Sequence, residues 1–179
     1  MLNIAKKWRQ IASCMDLNTN LDRFTDSWPS WRMYRVEIEI SGQPQGKGRP
    51  RFTKQGRTYT PQRTVEYERR IASAAWAEMQ RHNLDPTDRP VHVDVVAFMN
   101  IPKSWPKKKR LAAEYGAISP TSKPDIDNIV KSALDGITGD TGIIFDDTQV
   151  TSIKAKKTFC HPDRGPVLYV SVTWTDEGQ

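Results

Sequence analysis

Two aspartates stand one residue apart in KPDIDNIVKSALDG, residues 123–136, and a second acidic pair follows in IIFDDTQV, residues 143–150. Carboxylates gathered this closely repel one another, so a shared location for Asp125, Asp127 and the Asp146-Asp147 pair calls for a cation. Oxygen donors suit hard divalent ions, and Mg²⁺ is usually held by a few carboxylates while keeping several waters. Lys131 stands four residues after Asp127, on the same helical face. Its ammonium is suited to a phosphate oxygen or to charge developing in a transition state. The plainer alternatives are an N-cap followed by a first-turn acid for Asp125 and Asp127. For Lys131 the plainer role is an i, i+4 ion pair worth only about 0.2–0.5 kcal/mol.

The element that must position these residues is written in the apolar spacing. Ile126, Ile129, Val130, Ala133, Leu134 and Ile137 form one continuous stripe, which predicts a helix over 126–136. Gly136 and Gly139 are suitable stop signals. Asp127 then falls in the first turn, where the helix dipole favours an acid, and Asp125 comes from the non-helical approach after Pro124. Asp135, near the C-terminal end, is a candidate structural partner for Lys131 and is not taken as a ligand. Asp146-Asp147 closes a short apolar segment that follows a glycine-rich turn.

Further elements flank this helix. Tyr34, Val36, Ile38 and Ile40 alternate with Arg35, Glu37 and Glu39, as in a half-buried strand. A glycine- and proline-punctuated stretch follows, carrying Lys47, Arg49, Arg51, Lys54 and Arg57 with Phe52 and Tyr59 among them. Thr60 as N-cap and Pro61 at the first position predict a helix striped by Tyr67, Ile71, Ala74 and Ala75. Val91, Val93, Val95 and Ala97 mark a second strand. A second basic stretch holds Lys103, Lys107, Lys108 and Lys109, with a short helix over 107–115. Strands over 150–157 and 167–174 complete the domain. The expected fold is α+β: a small mixed sheet of about four strands with two main helices packed on one face.

The chain has 179 residues, 37% hydrophobic and 27% charged, with a net charge of +6. That length suits one domain with an appendage. The basic balance raises the odds of a polyanionic partner. Cys14 and Cys160 are too few for a disulfide framework or a zinc site, which fits a reduced, cytoplasmic protein. No apolar run approaches the roughly 18 residues of a membrane span, and the first 30 residues lack a signal-peptide core. Ile4, Trp8, Ile11, Ala12 and Met15 predict an N-terminal helix, followed by loop, so residues 1–33 read as an extension and 34–179 as the functional domain. His82, His92 and His161 are scattered and read as structural or exposed.

KPDIDNIVKSALDGITG followed by IIFDDTQV resembles the RusA family of Holliday-junction resolvases, endodeoxyribonucleases common in phages and prophages. The matching pattern is D-x-D-N, a lysine four residues after the second aspartate, then D-D-x-Q-V. GKGRPRFTKQGRTYTP and PKSWPKKKR also resemble stretches of phage-type members. The likeness spans 34–174, with isoleucine at 126 and 129 where leucine is frequent. It implies a homodimer that binds four-way DNA junctions and cuts two opposing strands symmetrically, using Mg²⁺ or Mn²⁺. It further implies that Asp125, Asp127 and Asp147 are the catalytic, metal-binding acids and that Lys131 is the essential lysine. Asp146 matches the motif too, either as a further ligand or as the residue that holds the turn. Lys47, Arg49, Arg51, Lys54, Arg57, Lys103, Lys107, Lys108 and Lys109 are then the expected phosphate contacts. Two other classes remain open at this point: a non-catalytic branched-DNA-binding protein with a structural metal site, and a small-molecule phosphohydrolase.

Overall fold

The computed structural model describes residues 31–177, and the expected N-terminal helix lies outside them. Six strands and three helices alternate along the described chain. β1 (Trp31–Ser41) leads to a two-stranded ribbon, β2 (Arg51–Phe52) and β3 (Thr58–Tyr59). Then come α1 (Gln62–His82), β4 (Val91–Met99), α2 (Lys107–Glu114), α3 (Ile126–Ile137), β5 (Val150–Phe159) and β6 (Val167–Glu177). The main sheet has the order β1-β6-β4-β5. β4 runs antiparallel to β6 and parallel to β5, with Met99 opposite Phe159 at the end both strands share. This is the expected α+β architecture with a mixed four-stranded sheet.

The strand alternation buries one face against the two longer helices. Val36, Ile38 and Ile40 of β1, Val91 to Met99 at alternate positions of β4, and Leu168, Val170, Val172 and Trp174 of β6 share a core. Tyr67, Ile71, Ala75 and Met79 of α1 and Ile129, Ala133 and Ile137 of α3 complete it. Two expectations shift. α1 begins one residue later than its cap signals suggest, with Pro61 as N-cap and no side-chain cap bond. Gly136 is not a stop: it lies inside α3, buried where the two helices cross.

A Cβ at position 136 would sit 2.5 Å from Ile71 Cβ and 3.1 Å from the Glu68 carbonyl oxygen. Gly→Ala on an exposed helix gains about 1 kcal/mol. Here the clash dominates, because overpacking costs about 1–3 kcal/mol and the atoms met belong to the branched Ile71 side chain and the Glu68 main chain. Gly136→Ala is expected to lower stability by roughly 2 kcal/mol in urea unfolding, and a gain in stability would refute the close crossing.

Histidines follow the structural reading. His82 pairs with Glu78 at 3.1 Å, His92 with Asp94 at 3.3 Å and His161 with Glu114 at 3.1 Å. Cys160 is a buried free thiol. Among the described residues, no helix is long and apolar enough to cross a membrane.

Candidate active site

The N-terminus of α3 presents the first acidic group. Asp125 is the N-cap in extended conformation; its carbonyl accepts from Ile129 N at 3.1 Å, while its side chain makes no cap bond. Asp127 follows in the first turn. Its Oδ2 lies 3.6 Å from Lys131 Nζ, and both side chains are 61% exposed. A water-screened pair at that distance is weak, so carboxylate and ammonium are both available to a ligand. The approach to the helix is fixed from two sides. Lys157 Nζ donates to the carbonyls of Ser122 at 2.9 Å and Pro124 at 3.1 Å. From the other side, Gly46 packs so closely that a Cβ there would lie 2.9 Å from those of Pro124 and Asn128.

Both basic stretches reach this same end of the domain. The first is stitched down at its root, where Lys47 N donates to Asn128 O at 2.8 Å and Gly48 N to Thr64 Oγ1 at 3.2 Å. It then rises as the β2–β3 ribbon, with Arg51 opposite Tyr59 and Phe52 opposite Thr58. The turn is closed by Thr53 N to Arg57 O at 2.8 Å, and Gly56 takes the left-handed φ of 78° that the turn needs. Every residue from 49 to 60 is exposed, and Phe52 is 75% exposed. Arg49, Arg51, Lys54 and Arg57 make no ion pair with the described residues. The second stretch starts where β4 and β5 finish. Trp105 packs edge-on against Phe159 at 5.5 Å, and Lys109 Nζ sits 3.9 Å over the Trp105 ring. Lys103, Lys107 and Lys108 are exposed beside it.

The second acidic pair occupies the opposite end. Asp146 caps a 3₁₀ turn, Asp147–Gln149: its Oδ1 accepts from Thr148 N at 2.8 Å. Gln149 Oε1 accepts in return from Asp146 N and Phe145 N at 2.9 Å each, and its amide donates to Thr87 O at 2.7 Å. Hydrogen bonds from Thr148 hold the Asp146 carboxyl below the usual range. Asp146 therefore holds the turn, and Asp147 is left exposed beside it. This turn feeds β5 at Val150, beside Val91, and Ile144 bridges Thr87 and Thr138 just past the C-terminal end of α3. Lys157, which touches Pro124, lies seven residues further along β5, about 23 Å at the usual rise per residue. The twelve residues of α3 span about 18 Å.

Within one chain, then, the length of α3, about 18 Å, lies between Asp125 and Asp127 at its N-terminal end and the turn of Asp146 and Asp147 that follows Ile144 past its C-terminal end. Among the described residues, no group of three or more His, Cys, Asp or Glu side chains is placed to hold one metal ion. A shared location for Asp125, Asp127 and Asp147 is not formed within one chain.

Two further pairings differ from expectation. Asp135 does not pair with Lys131; it accepts a short hydrogen bond from Lys47 Nζ. Lys47, expected among the phosphate contacts, also lies 3.5 Å from Glu68 Oε1. Sequence reasoning passed over Glu68 and Lys157, for which only distant neighbours give a signal. Gln149 had a local one, since D-x-x-Q before a strand has the spacing of a reciprocal cap.

The family model for Endodeoxyribonuclease RusA matches residues 41–173, which takes in both basic stretches, both acidic pairs and Lys131. The chain is also 31% identical over 144 residues to the uncharacterized protein YqaN of Bacillus subtilis (strain 168), covering 77% of this chain and 97% of that protein. The chain belongs to the RusA family of endodeoxyribonucleases.

Proposed function

We propose that this protein resolves Holliday junctions by paired symmetrical nicks, as a metal-dependent, structure-specific endodeoxyribonuclease working as a homodimer. The observation that carries the reading is the shared location of Asp125, Asp127 and Lys131 with both basic stretches, at the end where β4 and β5 finish. Phosphate contacts from Arg49, Arg51, Lys54, Arg57, Lys103, Lys107 and Lys108 seat the DNA backbone beside the acids. Phe52 and Tyr59 offer faces on which unpaired bases stack at the branch point. An enzyme of recombination intermediates acts where the DNA is, inside a bacterial or phage-infected cell.

The donors fit a hard divalent ion in kind. Asp125 and Asp127 offer exposed carboxylate oxygens, neither spent on a cap, and Asp147 offers a third from its turn. Mg²⁺, or Mn²⁺ in its place, supplies when bound an activated water and charge neutralisation at the scissile phosphate. Lys131 adds its ammonium to the non-bridging or leaving oxygen, and the positive end of α3 points the same way. Lys157 keeps the approach to Asp125 in place through the Ser122 and Pro124 carbonyls.

The homodimer is supported by the separation of the acids. One chain's Asp147 is too far from its own Asp125 to share an ion, so a partner must bring the missing carboxylate. A two-fold pair does this twice, exchanging Asp147 in both directions. Two equivalent sites then face the two equivalent strands of a junction.

The test uses the purified full chain with a labelled four-way junction and a linear duplex of matching sequence, each with Mg²⁺ or with EDTA. Paired nicks in the junction only, and only with metal, are expected. Junction binding without cutting in Mg²⁺ or Mn²⁺ would instead indicate a non-catalytic branched-DNA-binding protein.

A further inference from the structure

The cluster of Lys47, Glu68 and Asp135 lies outside the acidic groups and joins three separate parts of the chain. Lys47 belongs to the loop that becomes the β2–β3 ribbon, Glu68 to α1 and Asp135 to α3. Lys47 Nζ donates to Asp135 Oδ2 and sits 3.5 Å from Glu68 Oε1, an oxygen sealed from water and without a hydrogen bond. Its side chain is only 35% exposed. Burial raises the Glu68 carboxyl above its ordinary range, Lys47 draws it down, and the Asp135 charge pushes it up again. Burial would lower the Lys47 ammonium, but Asp135 and Glu68 outweigh it and hold the group charged above its usual range. The cation is thus spent inside the protein, bridging two acids that would otherwise repel.

Its position along the chain gives this bridge a consequence. Arg49 is two residues further on and Arg51 four, and beyond the backbone bonds at Lys47 and Gly48 the ribbon has no buried residue to steady it. We propose that Lys47 is a positioning residue: clamped between Asp135 and Glu68, it fixes the root of the ribbon so that the ribbon cations hold DNA in register with Asp125 and Asp127. This rests on the junction-cutting reading above. Misplacing a reacting phosphate by about 1 Å can cost up to a hundredfold in rate, so a loosened root acts on turnover before affinity.

The experiment compares Lys47→Gln, Asp135→Asn and the double variant with wild type. Three readouts are used: single-turnover junction cleavage, the salt dependence of junction affinity, and amide hydrogen exchange of residues 48–59 in the free protein. Positioning predicts about a tenfold loss of cleavage in each single variant and no further loss in the double, because both break one clamp. The log–log salt slope stays at the wild-type value, and exchange across the ribbon quickens in both single variants. A direct phosphate contact predicts the opposite: Lys47→Gln reduces the slope by about 0.9, Asp135→Asn behaves as wild type, and ribbon exchange is unchanged. That result would overturn the proposal. If the wild-type protein cuts no junction, the nuclease reading fails, while ribbon exchange in the two variants still decides whether the clamp exists.

Discussion

Asp125→Asn and Asp147→Asn are each expected to reduce junction cleavage by about a thousandfold or more, the scale of losing one preorganised charge at a reacting phosphate. Junction affinity and fold should persist. Both side chains are exposed, Asp125 makes no cap bond, and exposed substitutions usually stay within about 0.5 kcal/mol. The informative step is to mix the two inactive proteins. If each site takes Asp125 and Asp127 from one protomer and Asp147 from the other, a mixed dimer contains one site with both substitutions and one with neither. It should regain nicking of a single strand per junction. If each site were built within one chain, both sites of the mixed dimer would carry a substitution and no activity would return. Subunit exchange is checked by native mass spectrometry. Silence of a verified mixed dimer sinks the shared site, and wild-type cutting by either variant alone removes that residue from the chemistry.

That arrangement marks the boundary of what the sequence made legible. Among the described residues, the longer periodic signals carry through. The stripe from Ile126 to Ile137 is α3, and the alternation in Val91–Met99 is β4. The run 107–115 differs from α2 by one residue. Gly136 shows where local reading stops. A glycine near the end of an apolar stripe signals either a helix stop or a close crossing, and only Ile71, brought up from another helix, decides between them. The motif likewise marks Asp125, Asp127 and Asp147 as members of one chemistry but not the helix length between them. Lys47 looks like its neighbours Arg49 and Arg51 in a basic run; its difference arises from Glu68 and Asp135, far away in sequence. The β2–β3 ribbon shows in the sequence only as a glycine- and proline-punctuated stretch, because two residues per strand give no periodicity to detect.

Neutralising the ribbon should produce the second large effect. Replacing Arg49, Arg51, Lys54 and Arg57 with glutamine removes four cations that have no internal partner among the described residues. On duplex arms each displaced counterion contributes about 0.9 to the slope of log affinity against log salt, so four contacts contribute about 3.6 per ribbon. Between 50 and 200 mM salt that portion alone is worth about 150-fold in affinity. The quadruple variant should therefore bind junctions far more weakly at low salt and show a much flatter salt response, while its melting temperature stays close to wild type because no buried contact is lost. The ribbon's exposure on all sides makes this separation clean: Phe52 and Tyr59 remain, so any residual binding reports stacking and the Lys103–Lys109 stretch. A quadruple variant with the wild-type slope would show that these side chains face solvent in the complex. DNA would then have to be seated by the second basic stretch.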